Sequence, residues 1–121
     1  MEAVRRRVGV LGAGAWGSAI AKNLADNGHE VILWAREAEI VDSINARHEN
    51  ATYLPGVRLP DTLRASLDPL EAAVDVEAIF LGVPSPYLLG AVKRILTSPD
   101  IMEGRALIAV LTKGFIETER G

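Results

Sequence analysis

Three glycines near the N-terminus have the spacing of a phosphate-binding turn. Gly12, Gly14 and Gly17 come directly after an apolar run and before an amphipathic segment. In such a turn the first glycine permits a tight bend, the second lets a phosphate approach the backbone, and the third allows helix and strand to pack closely. The helix start offers N–H groups and a positive dipole to phosphates. The motif therefore predicts binding of a dinucleotide pyrophosphate, and the alternative is a structural glycine turn without a ligand.

Two charged residues lie where the second predicted strand ends, a position that often contacts the ribose of a dinucleotide. An acidic residue there binds the 2′-hydroxyl of NAD, whereas an arginine suits the 2′-phosphate of NADP. Arg36 takes this position and its guanidinium favours phosphate, but the neighbouring Glu37 could accept from a ribose hydroxyl or repel a phosphate. NADP or NAD is therefore the expected cofactor, with NADP slightly favoured. The alternative for Arg36 is a solvated arginine at a helix start.

Three further residues are candidates for the same cleft. Pro84 stands in the loop after the fourth predicted strand and could border the cleft. The alternative for this loop is a purely structural one, in which Ser85 caps the next helix. Lys113 follows the fifth predicted strand and could hold an anionic or carbonyl oxygen, and a surface lysine is the alternative. Tyr53 could place its ring near the cofactor or merely anchor its loop.

These candidates need a scaffold in which strands and helices alternate. Short apolar runs between segments of helical periodicity indicate a Rossmann-like α/β fold, a doubly wound and mainly parallel sheet of expected order 3-2-1-4-5 with helices on both faces. Ligands of such sheets bind at the carboxyl ends of the strands, near the point where the order reverses. In the first helix Ile20 and Leu24 are expected on one face, with Ala19, Ala21 and Ala25 packing closely, and Gly28 is expected to cap the C-terminus. The predicted strands are 7–11, 30–34, 63–67, 78–83 and 106–111; the predicted helices are 16–27, 37–47 and 86–96, with a short helix beginning at 68–69.

Composition excludes several classes of function. The 121 residues suffice for one domain with a core. The net charge of −3 gives no general attraction to nucleic acid or to an anionic membrane. The absence of cysteine excludes a thiolate site and fits a reducing cytoplasm, and His29 and His48 have no partner at metal-binding spacing, so no metal is expected. The arginines at 5–7 superficially resemble a secretory signal, but the glycines that follow have turn-like spacing, and no segment reaches the roughly 20 apolar residues of a membrane span.

Several further motifs follow one another along nearly the whole chain. In this combination and order they resemble the N-terminal domain of bacterial NAD(P)+-dependent glycerol-3-phosphate dehydrogenase. The combination is far more specific than the glycine motif, which many dehydrogenase families share. The matching segments are Val10-Leu11-Gly12-Ala13-Gly14-Ala15-Trp16-Gly17, Asn27-Gly28-His29, Val31-Ile32-Leu33-Trp34-Ala35-Arg36, His48-Glu49-Asn50, Tyr53-Leu54-Pro55-Gly56, Leu59-Pro60, Val83-Pro84-Ser85 and Leu111-Thr112-Lys113-Gly114.

The resemblance implies an activity and roles for single residues. The family reversibly converts dihydroxyacetone phosphate to sn-glycerol 3-phosphate for phospholipid synthesis, so the expected partners are a dinucleotide and a small phosphorylated triose. Ala15 and Trp16 would contact the cofactor phosphates, although the first position is usually serine and Ala15 lacks that hydroxyl donor. Arg36 matches a basic position near the adenosine ribose, and Tyr53 would border the cofactor. Lys113 would touch both the nicotinamide side and the substrate.

The resemblance also implies a division of labour between domains. Residues 1–121 would form the NAD(P)-binding domain, whereas the proton-transferring lysine would belong to an all-helical C-terminal domain outside this chain. No catalytic residue is therefore expected in this chain, which should bind cofactor without turning over substrate. The full-length protein is expected to be a cytoplasmic homodimer. Glu37 replaces a second basic residue that relatives often carry, which argues against a strict NADP preference.

Two alternatives remain open from the residues. One is the cofactor domain of another hydroxyacid or ketopantoate-type dehydrogenase, against which the Leu54–Gly56 and Thr112–Gly114 segments argue. The other is a non-catalytic domain that senses NAD(P)H, which fold alone does not exclude. Such a sensor has no need for a substrate-facing lysine after the fifth strand.

Overall fold

Five strands form one parallel sheet in a computed structural model, which describes residues 6–82 and 86–110. The strands are β1 (Arg7–Leu11), β2 (Glu30–Trp34), β3 (Leu63–Ser66), β4 (Ala78–Leu81) and β5 (Leu107–Val110). The helices are α1 (Ala15–Asp26), α2 (Ala38–Arg47), α3 (Pro86–Ile95), α4 (Pro99–Met102) and a 3₁₀ helix over Pro69–Ala73. The strand order is β3-β2-β1-β4-β5, which confirms the predicted doubly wound topology.

The sheet register brings three strand ends to one edge. Leu11 at the end of β1 pairs with Trp34 at the end of β2 and with Leu81 at the end of β4. Backbone hydrogen bonds continue one residue further, since the Gly12 N–H donates to the Trp34 carbonyl at 3.0 Å and the Gly82 N–H to the Leu11 carbonyl at 2.9 Å. The loops after these strands therefore start side by side, where the strand order reverses.

Two apolar clusters cover the two faces of the sheet. The first packs β1 and β2 side chains such as Val10 and Leu33 against α1 and α2. The second packs Ile32 and Ile79 against the 3₁₀ helix, α3 and α4. Burial on both faces explains why the central strands are apolar at almost every position instead of alternating with polar residues.

The buried face of α1 differs from the predicted one. Gly17, Ser18, Ala21 and Ala25 are buried, whereas Ala19 is exposed, so the prediction that Ala19 packs closely was wrong. The reason is that α1 lies close to the turn before it, and only a face of small residues allows this approach. Ile20 and Leu24 are both half-buried. Leu24 packs partly against the first cluster as expected. Gly28 has a φ of +93° just after the helix, which agrees with its predicted role at the C-terminus.

Other differences concern element ends and one short helix. The third and fourth strands end at Ser66 and Leu81, earlier than predicted. The short helix predicted from Asp68-Pro69 is a 3₁₀ helix, and the Asp68 carboxylate accepts from the Leu70 N–H at 3.0 Å as its N-cap. The single turn α4 was not predicted. Within the described residues, no helix combines the length and apolar character that crossing a membrane requires.

Candidate functional site

The three glycines connect β1 to α1 with the backbone geometry that their spacing predicts. Gly12 has a φ of +114°, which favours glycine, and so turns the chain sharply after β1. A methyl group at Gly17 would lie 1.8 Å from the Gly12 carbonyl oxygen, so helix and turn can meet only with glycine there. A methyl group at Gly14 would meet no atom within 4 Å. The second glycine therefore faces open space.

That open space belongs to a cleft at the carboxyl edge of the sheet with a volume of about 280 Å³. Six predicted site residues line this cleft, whose lining residues come from four parts of the sequence. The six are Gly12, Gly14, Trp16, Gly17, Arg36 and Tyr53, and the other lining residues are Ala13, Trp34, Glu37 and Gly82.

Of the remaining three predicted site residues, only Ala15 belongs to the described part of the chain. Ala15 is the exposed first residue of α1, next to the cleft but not among its lining residues. Pro84 and Lys113 lie outside the described residues.

The charge in the cleft comes from backbone as well as from side chains. Arg36 is exposed and Glu37 is half-buried, and among the described lining residues these two are the only charged ones at neutral pH. Their formal charges cancel. Gly14 is the N-cap of α1 and offers no side chain to the first N–H groups of the helix. A phosphate in the cleft would therefore rely on these amides and on the positive end of the helix dipole.

Trp34 has two roles. It is 8% exposed and belongs to the second apolar cluster. It also lines the cleft, and its Nε1–H donates to the Leu67 carbonyl at 3.0 Å. This bond fixes the indole at the end of β2, so Trp34 provides a rigid apolar wall.

Gly82 is a lining residue that sequence reasoning missed. A methyl group there would lie 3.0 Å from the Leu11 carbonyl oxygen, so glycine keeps the end of β4 close to the end of β1. A glycine directly after a predicted strand that neighbours the glycine turn was the available signal.

Two buried polar residues behind the glycine turn were also missed. Asn50 and Ser18 are each 0% exposed. The Asn50 Nδ2 donates to the Ala13 carbonyl and to the Ser18 Oγ, both at 2.8 Å, and the Ser18 Oγ donates to the same carbonyl at 3.2 Å. The Asn50 Oδ1 accepts from the Tyr53 N–H at 3.1 Å. A loop asparagine carries no sequence signal that distinguishes this arrangement from an exposed turn.

The described residues contain no group of three or more histidine, aspartate or glutamate side chains arranged to hold a metal ion. His29 accepts at Nδ1 from the Arg6 N–H at 3.3 Å, and His48 lies 3.5 Å from Asp61 through its Nε2. Both histidines therefore make ordinary loop contacts.

Comparison with known proteins gives one family over nearly the whole chain. The family described as NAD-dependent glycerol-3-phosphate dehydrogenase N-terminus matches residues 7–121. Among curated proteins, the glycerol-3-phosphate dehydrogenase [NAD(P)+] of Treponema denticola is 45% identical over 120 residues, which cover 95% of this chain. The chain spans about a third of that protein's length, since the match covers 34% of it.

Solved structures give the same result at the level of the fold. A glycerol-3-phosphate dehydrogenase from Coxiella burnetii matches with a TM-score of 0.76 and 33% identity, over 91% of this chain and 34% of that one. The enzyme of the same name from Saccharomyces cerevisiae matches with a TM-score of 0.77 and 29% identity, over the same shares of the two chains.

Proposed function

Because the chain belongs to the NAD-dependent glycerol-3-phosphate dehydrogenase N-terminus family, we propose that its cleft binds NAD or NADP. The observation that carries this proposal is the open backbone at Gly14, beside the uncapped start of α1. A linked pair of phosphates fits such a site because it needs several N–H donors and close approach to the main chain. The residues present therefore fit the pyrophosphate of a dinucleotide.

Each lining segment has a proposed part in holding the dinucleotide. Gly12, Gly14 and Gly17 shape the backbone at the pyrophosphate, and Trp16 lies beside it on the first turn of α1. Ala15 contributes its backbone N–H only. Tyr53, which is 43% exposed, forms part of the opposite wall.

Arg36 and Glu37 together set the proposed cofactor preference. Arg36 would pair with a 2′-phosphate, which slightly favours NADP, while Glu37 disfavours a strict preference because its carboxylate lines the same cleft. Both cofactors are therefore expected to bind.

The proposed reaction is the reversible conversion of dihydroxyacetone phosphate to sn-glycerol 3-phosphate. The bound cofactor supplies the hydride exchange at its nicotinamide. This chain's own contribution is to position the cofactor. On the basis of the family resemblance, Lys113 is proposed to hold a substrate oxygen and Pro84 to border the cofactor. We further propose that the catalytic proton transfer belongs to a helical domain beyond residue 121, and that the longer protein is a cytoplasmic homodimer.

Side-by-side titration with NADPH and NADH tests the cofactor assignment. Wild type should bind both, and Arg36→Ala should weaken NADPH by about tenfold because a charge-assisted bond to the 2′-phosphate is lost, with a much smaller effect on NADH. Binding can be followed by quenching of the tryptophan fluorescence, since Trp16 and Trp34 line the cleft.

Arg64→Ala is the matched control for this titration, because Arg64 is exposed on β3 and does not line the cleft. It removes the same charge and should leave both affinities unchanged. Equal losses for NADPH and NADH in Arg36→Ala would remove the 2′-phosphate role. If wild type binds neither NADPH nor NADH, the proposed function itself is wrong.

A further inference from the structure

Two walls of the cleft come from segments that are far apart in the sequence. One wall is the glycine turn, residues 12–17, and the other is the loop after α2, which carries Tyr53. The two segments are separated by β2 and α2, and no regular sheet pairing joins them. Their relative position therefore has to be set by side-chain contacts.

The Asn50 side chain joins these two walls directly. Its amide donates to the Ala13 carbonyl in the glycine turn, and its Oδ1 accepts from the backbone N–H of Tyr53 in the other wall. The Asn50 carbonyl also accepts from the Leu54 N–H at 2.8 Å, which closes the loop around Tyr53. A single side chain thus bonds to the backbone of both walls.

Burial strengthens the hydrogen bonds of the Asn50 side chain. Asn50 is 0% exposed, so water does not compete for its amide, and leaving either side of the amide unbonded there would be costly. Asparagine also has the chemistry that the position needs, because its amide offers two donors and an acceptor on one short side chain. An aspartate would place a carboxylate against the Ala13 carbonyl oxygen.

We infer that Asn50 is a positioning residue, which fixes the glycine turn and the Tyr53 loop as one preformed cleft for the dinucleotide. The inference rests on the proposed function. Asn50 is not among the residues that line the cleft, so it acts through Ala13 and Tyr53 and not by contact with the cofactor. A wall that is ordered in advance spares the ligand the entropy cost of ordering it.

Asn50→Ala tests this inference by titration with NADPH below the melting temperature of the variant. The affinity should fall by about tenfold, since the loop must then be ordered on binding. Ser18→Ala removes one of the two acceptors of the Asn50 Nδ2 and should give a smaller loss, about threefold, since one neutral bond is removed.

Asn45→Ala is the matched control. The Asn45 amide likewise donates to and accepts from backbone, here the carbonyl and N–H of Ala65 in β3, away from the cleft. Its loss should lower stability without changing the affinity for NADPH. An equal loss of affinity in Asn45→Ala and Asn50→Ala would show a general effect of stability and would overturn the inference.

Two further readouts separate positioning from a purely structural role. Hydrogen exchange at the Tyr53 amide should speed up in Asn50→Ala while exchange in β1 and β2 stays slow, because the Tyr53 N–H loses its acceptor. In a double-mutant cycle, Asn50→Ala should cost less affinity when Tyr53 is already alanine, since the wall it positions has been removed.

The outcomes are distinct from failure of the proposed function. If wild type binds NADPH and Asn50→Ala binds equally well, the inference is wrong and the proposed function stands. If wild type does not bind NADPH, the proposed function is wrong, and the inference that rests on it is wrong as well. If Asn50→Ala does not fold, Ser18→Ala decides, since unchanged affinity in that variant would overturn the inference.

Discussion

At the scale of single residues, Gly14 and Gly17 serve different ends although both belong to one motif. A side chain at Gly17 would collide with the Gly12 carbonyl, whereas a side chain at Gly14 would enter the cleft without touching protein. Gly14 also has a φ of −70°, which any residue can adopt. Position 17 therefore requires glycine for the fold itself, whereas position 14 requires glycine only to leave room for the proposed ligand.

Alanine at each of these two positions should separate the two requirements. Gly17→Ala should lower the free energy of unfolding by about 1–3 kcal/mol, because helix and turn must move apart. Gly14→Ala should change it by less than about 1 kcal/mol, as an N-cap change, but should weaken dinucleotide binding at least about tenfold because the methyl group occupies the path of the phosphate.

Denaturant unfolding and NADPH titration on the same samples check this pair. The reverse pattern, a stable Gly17→Ala and an unfolded Gly14→Ala, would contradict the geometry of the turn. Wild-type affinity in Gly14→Ala would show that no phosphate approaches the backbone there.

At the scale of elements, a charged contact joins the 3₁₀ helix to α3 on the second face of the sheet. The Arg94 Nε and Nη2 donate to the two carboxylate oxygens of Asp68 at 3.2 and 3.4 Å. This bond from Arg94 is the main reason why the pKa of the Asp68 carboxyl lies below its usual value; the Leu70 N–H lowers the pKa further, and burial opposes both. Asp68 thus caps one helix and pairs with another.

Asp68→Asn should remove the charge and keep the cap, since asparagine also caps helices well. A carboxyl whose pKa is lowered by folding adds stability above its unfolded pKa, and this stability is lost as the pH falls through the folded pKa. The variant should therefore be less stable than wild type by about 0.5 kcal/mol near neutral pH, a small value because both side chains are about half exposed to solvent. The difference should shrink below about pH 4.

Urea unfolding at several pH values measures this effect. Asp42→Asn on the exposed side of α2 is the control for removing one negative charge. A stability difference for Asp68→Asn that persists unchanged at low pH would rule out the ion pair as its cause.

At the scale of the whole molecule, the chain corresponds to only part of a longer relative. It covers about a third of the Treponema denticola relative, since the match spans 34% of that protein. The cleft lies at the carboxyl edge of the sheet, and among its described lining residues only Arg36, Glu37 and Tyr53 are ionisable. Binding and turnover should therefore be separable.

The chain alone should bind NADPH but should not oxidise it when dihydroxyacetone phosphate is added. The reason is the proposed location of the proton-transferring lysine beyond residue 121. Loss of nicotinamide absorbance measures turnover, and fluorescence titration of the same sample shows that the chain is folded and loaded. Turnover at the rate of the full-length Treponema denticola relative, assayed alongside, would refute the proposed division between domains.

The sequence by itself determined the sheet order, the glycine turn and the edge at which the cleft lies. These follow from local patterns, because apolar runs fix the strands, glycine spacing fixes the turn, and right-handed crossovers leave few topologies. Arg36 could likewise be placed at the cleft, since it follows a strand whose end the pattern predicted, whereas only the family resemblance placed Tyr53 there.

Only the tertiary structure decided which residues support the site from behind. Asn50 reaches Ala13 across 37 positions of sequence, and no local pattern encodes that contact. The buried face of α1 was also decided by packing, because the close approach of Gly17 to Gly12 selects a face of small side chains and leaves Ala19 exposed. Local propensity specifies each element, whereas the contacts between elements depend on distances that exist only once the sheet has formed.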